Sequence, residues 1–141
     1  MTDSTVVRYL HKAKQMCMES QSKRFRIGAV LVYGNNIIAK GCNIDKTNPL
    51  QYKYNKYRNF RKMDVLNNGV IHAEMNCLCK IRFLDIDYSK VKIFICRIKR
   101  DGSVALAKPC KACQMAMRDY GITEIYYTDN MSEKGWSKLE L

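Results

Sequence analysis

Apolar positions along the chain change their period several times, and each change marks an element. From Ser4 to about Ser20, Val6, Val7, Leu10, Ala13 and Cys17 recur at helical spacing behind a Ser/Thr cap, which predicts an amphipathic helix. Arg26 to Tyr33 is largely apolar, Gly34-Asn35-Asn36 is a turn, and Ile37 to Cys42 resumes the pattern as a β-hairpin. Asn43 to Gly69 is long and mostly lacks an apolar period. A helical pattern returns from Ile71 to about Phe83. Val91 to Ile98, with Ile93, Phe94 and Ile95 inside it, reads as a strand and is followed by an Asp101-Gly102 turn. Pro109 is placed to open a helix running to Tyr120, and Gly121 to end it. Ile122 to Thr128 reads as a strand and Met131 to Leu141 as a short terminal helix. The order α-β-β-α-β-α-β predicts an α/β sandwich built on one sheet.

At 141 residues the chain is expected to form a single domain over 1–141, and no repeat, low-complexity tract or linker divides it. No run approaches the roughly 18 apolar residues needed to cross a bilayer. The start, Met1-Thr2-Asp3-Ser4-Thr5, lacks the basic and apolar regions of a secretory leader. The expectation is a soluble, cytoplasmic protein with no membrane partner. Twenty-five Lys and Arg against 13 Asp and Glu give +12, which suits an anionic partner such as nucleic acid, a free nucleotide or an acidic surface. A generally basic, solvated surface has the same arithmetic. The seven cysteines are odd in number and are not arrayed as a disulfide framework. In a reducing compartment they would be buried thiols or metal ligands.

Two short motifs carry chemistry. His72-Ala73-Glu74 stands at one predicted helix start and Pro109-Cys110-Lys111-Ala112-Cys113 at another. Cys110 and Cys113 lie three apart and so share a helix face. The positive end of a helix lowers the cost of making thiolates there. One imidazole with two thiolates is a good borderline-soft set for zinc. Three protein ligands leave a coordination position for water, and Glu74 could stand beside that water without binding the metal. A closed structural site would instead recruit Cys77, Cys79 or Cys96 as a fourth ligand. Otherwise Cys17, Cys42, Cys77, Cys79 and Cys96 read as core thiols, and His11 as a solvated residue.

Together, in this order, the two motifs resemble the zinc-dependent cytidine and deoxycytidylate deaminase superfamily, whose signature is H-x-E…P-C-x-x-C. Ile27-Gly28-Ala29-Val30-Leu31-Val32 is similar to that family's first strand, and Gly41-Cys42-Asn43 to the end of its second. His72-Ala73-Glu74-Met75-Asn76 resembles the deoxycytidylate deaminase form, and Gly121 to Tyr127 the strand after the cysteine helix. The resemblance covers 27 to 128 apart from the long middle segment. It implies a cytidine-deaminase-like α/β/α sandwich whose central mixed sheet has about five strands flanked by helices. It implies that His72, Cys110 and Cys113 hold one catalytic zinc ion and that Glu74 is the general acid and base. The Ala73 backbone would contact the base, Ala29 would help line its pocket, and Asn43 would hydrogen-bond the sugar. Without the resemblance, Asn43 reads as a turn former after a strand. The implied reaction is hydrolytic: a zinc-activated water attacks the carbon bearing the exocyclic amine, Glu74 moves the protons, and cytosine becomes uracil as ammonia leaves. Zinc with two thiolates is formally neutral, so such a site has no excess fixed charge. Family members with free substrates are commonly homo-oligomers.

The segment from about 44 to 70 departs from the common free-nucleotide pattern. Tyr52, Tyr54, Tyr57 and Phe60 interleave there with Lys53, Lys56, Arg58, Arg61 and Lys62. Cations beside stacking faces are what single-stranded nucleic acid binding uses. Lys53, Lys56, Tyr57, Arg58 and Arg61 are therefore candidate contacts to a strand or to one nucleotide's phosphate. Aromatics packed on the core, with solvated cationic neighbours, are the bland equivalent. The leading expectation is deamination of a free cytosine nucleoside or nucleotide, most like deoxycytidylate. Deamination of cytosine or adenine within single-stranded DNA, RNA or tRNA is the alternative. A non-catalytic, zinc-stabilised basic binding module is a third reading, against which Glu74 speaks.

Overall fold

Strand β1 (Arg26–Tyr33) is apolar on both of its faces because both are covered. It pairs antiparallel with β2 (Asn36–Cys42) on one side and with β3 (Val91–Ile98) on the other, Val30 standing opposite Lys40 and Phe94. These strands belong to a computed structural model of the chain that describes residues 1–22, 26–46, 48–57 and 71–141. The sheet continues from β3 to a parallel β5 (Glu124–Thr128) and then to an antiparallel β6 (Trp136–Glu140), in the order β2-β1-β3-β5-β6. A two-residue β4 (Val104–Ala105) pairs with the end of β3.

The period-two alternation of strand side chains sorts the core into two layers. Val30, Val32, Phe94 and Tyr126 meet Val6, Tyr9 and Leu10 of α1 (Asp3–Cys17) on one face. Ala29, Leu31, Ile93, Ile95, Ile125 and Tyr127 face the other layer, built from α2 (Pro49–Tyr54), α3 (Ala73–Ile81) and α4 (Lys111–Tyr120). Gly28 sets the closeness of the first layer: a Cβ there would stand 2.2 Å from the Ala13 carbonyl oxygen and 2.6 Å from the Cys17 nitrogen. The architecture is the expected α/β/α sandwich with a mixed sheet. Among the described residues no helix is long and apolar enough to cross a membrane.

Two expectations are corrected. The terminal segment is the strand β6 and not a helix. Its apolar positions fit either period when read alone, and the free edge of β5 decides between them. Trp136 packs against Tyr126 at a centroid distance of 5.9 Å, and Lys138 reaches Glu124 and Glu140 at 3.9 and 2.9 Å. The segment after β2 also holds an unforeseen helix. Asn48 caps α2, its Oδ1 accepting from Leu50 N at 2.8 Å, with Pro49 in the first turn, and a 3₁₀ turn (Asn55–Tyr57) follows. The base of this segment is closed beside α3, where Ile44 N donates to the Ile71 carbonyl and Ile71 N to that of Lys46.

Candidate metal centre

The N-termini of α3 and α4 converge. His72 is the N-cap of α3 and Cys110 that of α4; both have extended backbones, and neither side chain caps its own helix. The side chains meet instead. His72 Nδ1 lies 3.5 Å from Cys110 Sγ and 3.4 Å from Cys113 Sγ. One ligand atom from each of the three residues falls within 4.8 Å of the others. Zinc bonds of about 2.0–2.1 Å to nitrogen and about 2.3 Å to sulfur give a tetrahedral N···S edge of about 3.6 Å. The donors already stand near that spacing, and their chemistry suits one zinc ion. Cys113 is buried while His72 and Cys110 are half-buried, so the cluster opens outward on their side.

The electrostatics split the two thiols. A hydrogen bond from Cys113 holds the Cys110 thiol down to about 4, with His72 adding to the effect. Donating that bond, together with burial, pushes Cys113 well above the ordinary thiol range. Glu74, in the first turn of α3, lies outside the three-donor group. It is 3% exposed, and its Oε1 has no hydrogen-bond partner. Burial raises its carboxyl above the usual range, His72 opposing and Cys110 reinforcing the rise. An unpaired buried oxygen costs about 1–3 kcal/mol, which a purely structural site has no use for.

Several hydrogen bonds anchor the two helix starts. Asn76 Nδ2 donates to the Cys42 carbonyl at 3.0 Å and holds α3 on β2. Ala107 N donates to the Thr128 carbonyl at 2.9 Å, and Thr128 Oγ1 to that of Ala105 at 2.7 Å, which ties the approach to α4 onto β5. Gln114 Nε2 then holds the Pro109 carbonyl at 2.8 Å.

The other expected site residues are distributed as follows. Ala29 and Ala73 are fully buried in the layer that holds the cluster. Asn43 Oδ1 accepts from Ile27 N at 2.9 Å and from Ser20 Oγ at 2.6 Å, so its carbonyl end is part of the scaffold. Lys53, Lys56 and Tyr57 are exposed on α2 and the 3₁₀ turn, while Arg58 and Arg61 lie outside the described residues. Cys77, Cys79 and Cys96 do not join the donor group and contact Ala29 O, Asn48 Oδ1 and Arg97 O instead. A surface groove lined by Arg8, Tyr9, Asn35, Asn36 and Ile37 belongs to the α1 side and contains none of these donors. Sequence reasoning missed Gln51, a fully buried amide on α2 whose Oε1 accepts from His72 N at 3.0 Å. Asn48-Pro49 is a helix-start signal that could have revealed α2, but nothing in the sequence marks Gln51 as a neighbour of His72.

Residues 2–129 match the family model described as the cytidine and deoxycytidylate deaminase zinc-binding region. No curated protein matches the sequence. Among solved structures, the fold is similar to the apo dCMP deaminase of cyanophage S-TIM5 at a TM-score of 0.63 and 23% identity, over 92% of this chain and 86% of that one. The same phage enzyme in complex with dCMP and dUMP gives 0.64 and 22%, over 92% and 84%. The cytidine deaminase of Burkholderia pseudomallei gives 0.63 and 17%, over 99% and 93%.

Proposed function

Because the chain belongs to the cytidine and deoxycytidylate deaminase family, we propose that it hydrolyses the exocyclic amine of a free cytosine nucleoside or nucleotide, deoxycytidylate being the leading substrate. The observation that carries the hydrolytic reading is the buried, unpartnered Glu74 Oε1 beside a three-donor cluster. His72, Cys110 and Cys113 would hold one zinc ion. When bound, zinc supplies Lewis acidity that brings the pKa of a water down toward neutrality. Glu74 would accept a proton at Oε1 from the attacking water and deliver it to the ring nitrogen. It then carries the second proton to the departing amine, so that water and cytosine become uracil and ammonia. The Ala73 backbone and the Ala29 wall contact the base. Asn43, its Oδ1 tied to the scaffold, is the residue proposed to hydrogen-bond the sugar. A soluble, cytoplasmic setting belongs to this proposal, because the zinc reading needs Cys110 and Cys113 as thiols and the seven cysteines are odd in number.

Two features favour a free substrate. The phage enzyme of similar fold was solved with dCMP and dUMP. The middle segment also turns part of its polar and aromatic content inward: Gln51 and Asn55 are buried, and Tyr54 OH donates to Asp119 Oδ2 at 2.7 Å. The opposite face of that segment favours the second reading, a nucleic-acid deaminase. Tyr52 and Tyr57 are 63% and 38% exposed, with Lys53 and Lys56 beside them. Deamination assays on the zinc-loaded protein separate the two readings, with dCMP, dCTP and deoxycytidine run beside mixed-sequence single-stranded DNA and RNA. Turnover confined to the monomers supports the first reading. Turnover confined to the polymers overturns it in favour of the second.

A further inference from the structure

The helix that follows β2 reaches both elements that carry the donor cluster. Gln51, on the inward face of α2, is fully buried, and its Oε1 accepts the backbone N–H of His72 at 3.0 Å. Its Nε2 donates to Asn55 Oδ1 at 2.8 Å, and Asn55 is itself 3% exposed. Three residues on from Gln51, Tyr54 OH donates to Asp119 near the end of α4. The N–H of a helix N-cap has no intrahelical acceptor, so its direction is set by whatever bonds it from outside. Here that is a neutral, buried amide held at its other end by a second buried amide. The donating backbone belongs to the residue whose imidazole faces Cys110 and Cys113.

We infer that Gln51 is a positioning residue for the metal: by bonding the His72 backbone it sets the direction of the imidazole, so α2 acts as an outer brace of the ligand set. The inference rests on the zinc reading of the cluster, and it gives the middle segment a role at the site that is independent of any contact with substrate. Outer partners that orient ligands are commonly worth about 10–100-fold in metal affinity. The brace works through the acceptor oxygen and not through general stiffness of α2.

The test measures zinc affinity by chelator competition and the visible spectrum of the cobalt(II)-substituted protein, alongside thermal melting. Gln51→Met keeps the shape and removes the acceptor; it should weaken zinc by about 10–100-fold and change the cobalt band that reports ligand geometry. Gln51→Glu keeps an acceptor for the same N–H and, with the Asn55 amide turned to donate to its second oxygen, should bind zinc within about threefold of the parent, with the parent spectrum retained. Tyr54→Phe cuts the bond to α4 and leaves the His72 bond intact; it should lower the melting temperature and leave the spectrum unchanged. Parent-like zinc binding by Gln51→Met overturns the inference. So does an equal loss in Gln51→Glu or in Tyr54→Phe, since either would trace the effect to packing. Should Gln51→Met not fold, the other two variants still decide it. Failure of the parent itself to bind zinc or cobalt would fell the zinc reading instead, a separately visible result.

Discussion

Glu74→Gln should make the protein more stable and nearly inactive at once. The native side chain is 3% exposed and its Oε1 is unpartnered, so the folded state bears the desolvation of an unpaired polar atom, about 1–3 kcal/mol. Glutamine has almost the same volume, carries no charge, and can turn its NH₂ toward the neighbouring sulfurs. Relief of about 1 kcal/mol would raise the melting temperature by roughly 3–5 °C in a domain of this size. Catalysis moves the other way. A positioned acid and base is worth about 10²–10⁴-fold, or about 3–6 kcal/mol of barrier, and an amide cannot shuttle the proton. The zinc content should stay at the parent level, because Glu74 lies outside the donor group. Calorimetry on the metal-free protein, with metal analysis and a deamination assay on the zinc-loaded protein, reads all three quantities. Turnover above about a tenth of the parent rate would refute the proton-transfer role. Loss of zinc would make Glu74 a ligand, and a lower melting temperature would mean that its oxygen is satisfied in the folded protein.

Three other variants test the scaffold and the surface. In Gly41→Ala the new Cβ would stand 3.0 Å from Asn76 Cβ and 3.1 Å from both the Ala73 carbonyl and Cys77 Sγ. That should push α3 off β2, cost about 1–3 kcal/mol in denaturant unfolding, and weaken zinc because His72 begins that helix; parent stability would contradict the close packing. Thr128→Val leaves the Ala105 carbonyl without its hydroxyl donor and Arg97 N without its 3.3 Å contact. A loss of about 1–3 kcal/mol is expected, and a neutral result would remove the β4–β5 tie from the account of how α4 is placed. If the exposed face of α2 holds a strand, joint Lys53→Ala and Lys56→Ala should flatten the dependence of oligonucleotide affinity on salt by about 1.8 in log–log slope for double-stranded DNA, or about 1.4 for single strands. An unchanged slope would remove both lysines from any such surface.

Much of the fold was legible because its elements are locally self-consistent. The strand β3 spans the expected Val91–Ile98. The helix α4 ends where Gly121 adopts a φ of +96°, a left-handed conformation that favours glycine. The chemical identity of the site was legible for the same local reason. His72 with Glu74, and Cys110 with Cys113, are short-range spacings read within single helix starts. The C-terminal strand was not legible, since Trp136, Leu139 and Leu141 suit more than one period and only the open edge of β5 selects pairing. Nor was α2, whose six residues are too few to display a helical period.

What the sequence determined by itself is the set of donors, the elements that carry them, and the family to which the chain belongs. Those depend on residue type and on separations of a few positions, which a chain displays without folding. The tertiary structure decided that an imidazole stands 3.4–3.5 Å from each of two thiols 38 and 41 residues further along the chain. It decided that the Glu74 oxygen is left without a partner, and that a glutamine 21 residues before the histidine bonds its backbone. Each of these depends on elements brought together by burial of the two sheet faces, and the energy of that burial is spread over the whole core and not encoded at any one of the residues it juxtaposes.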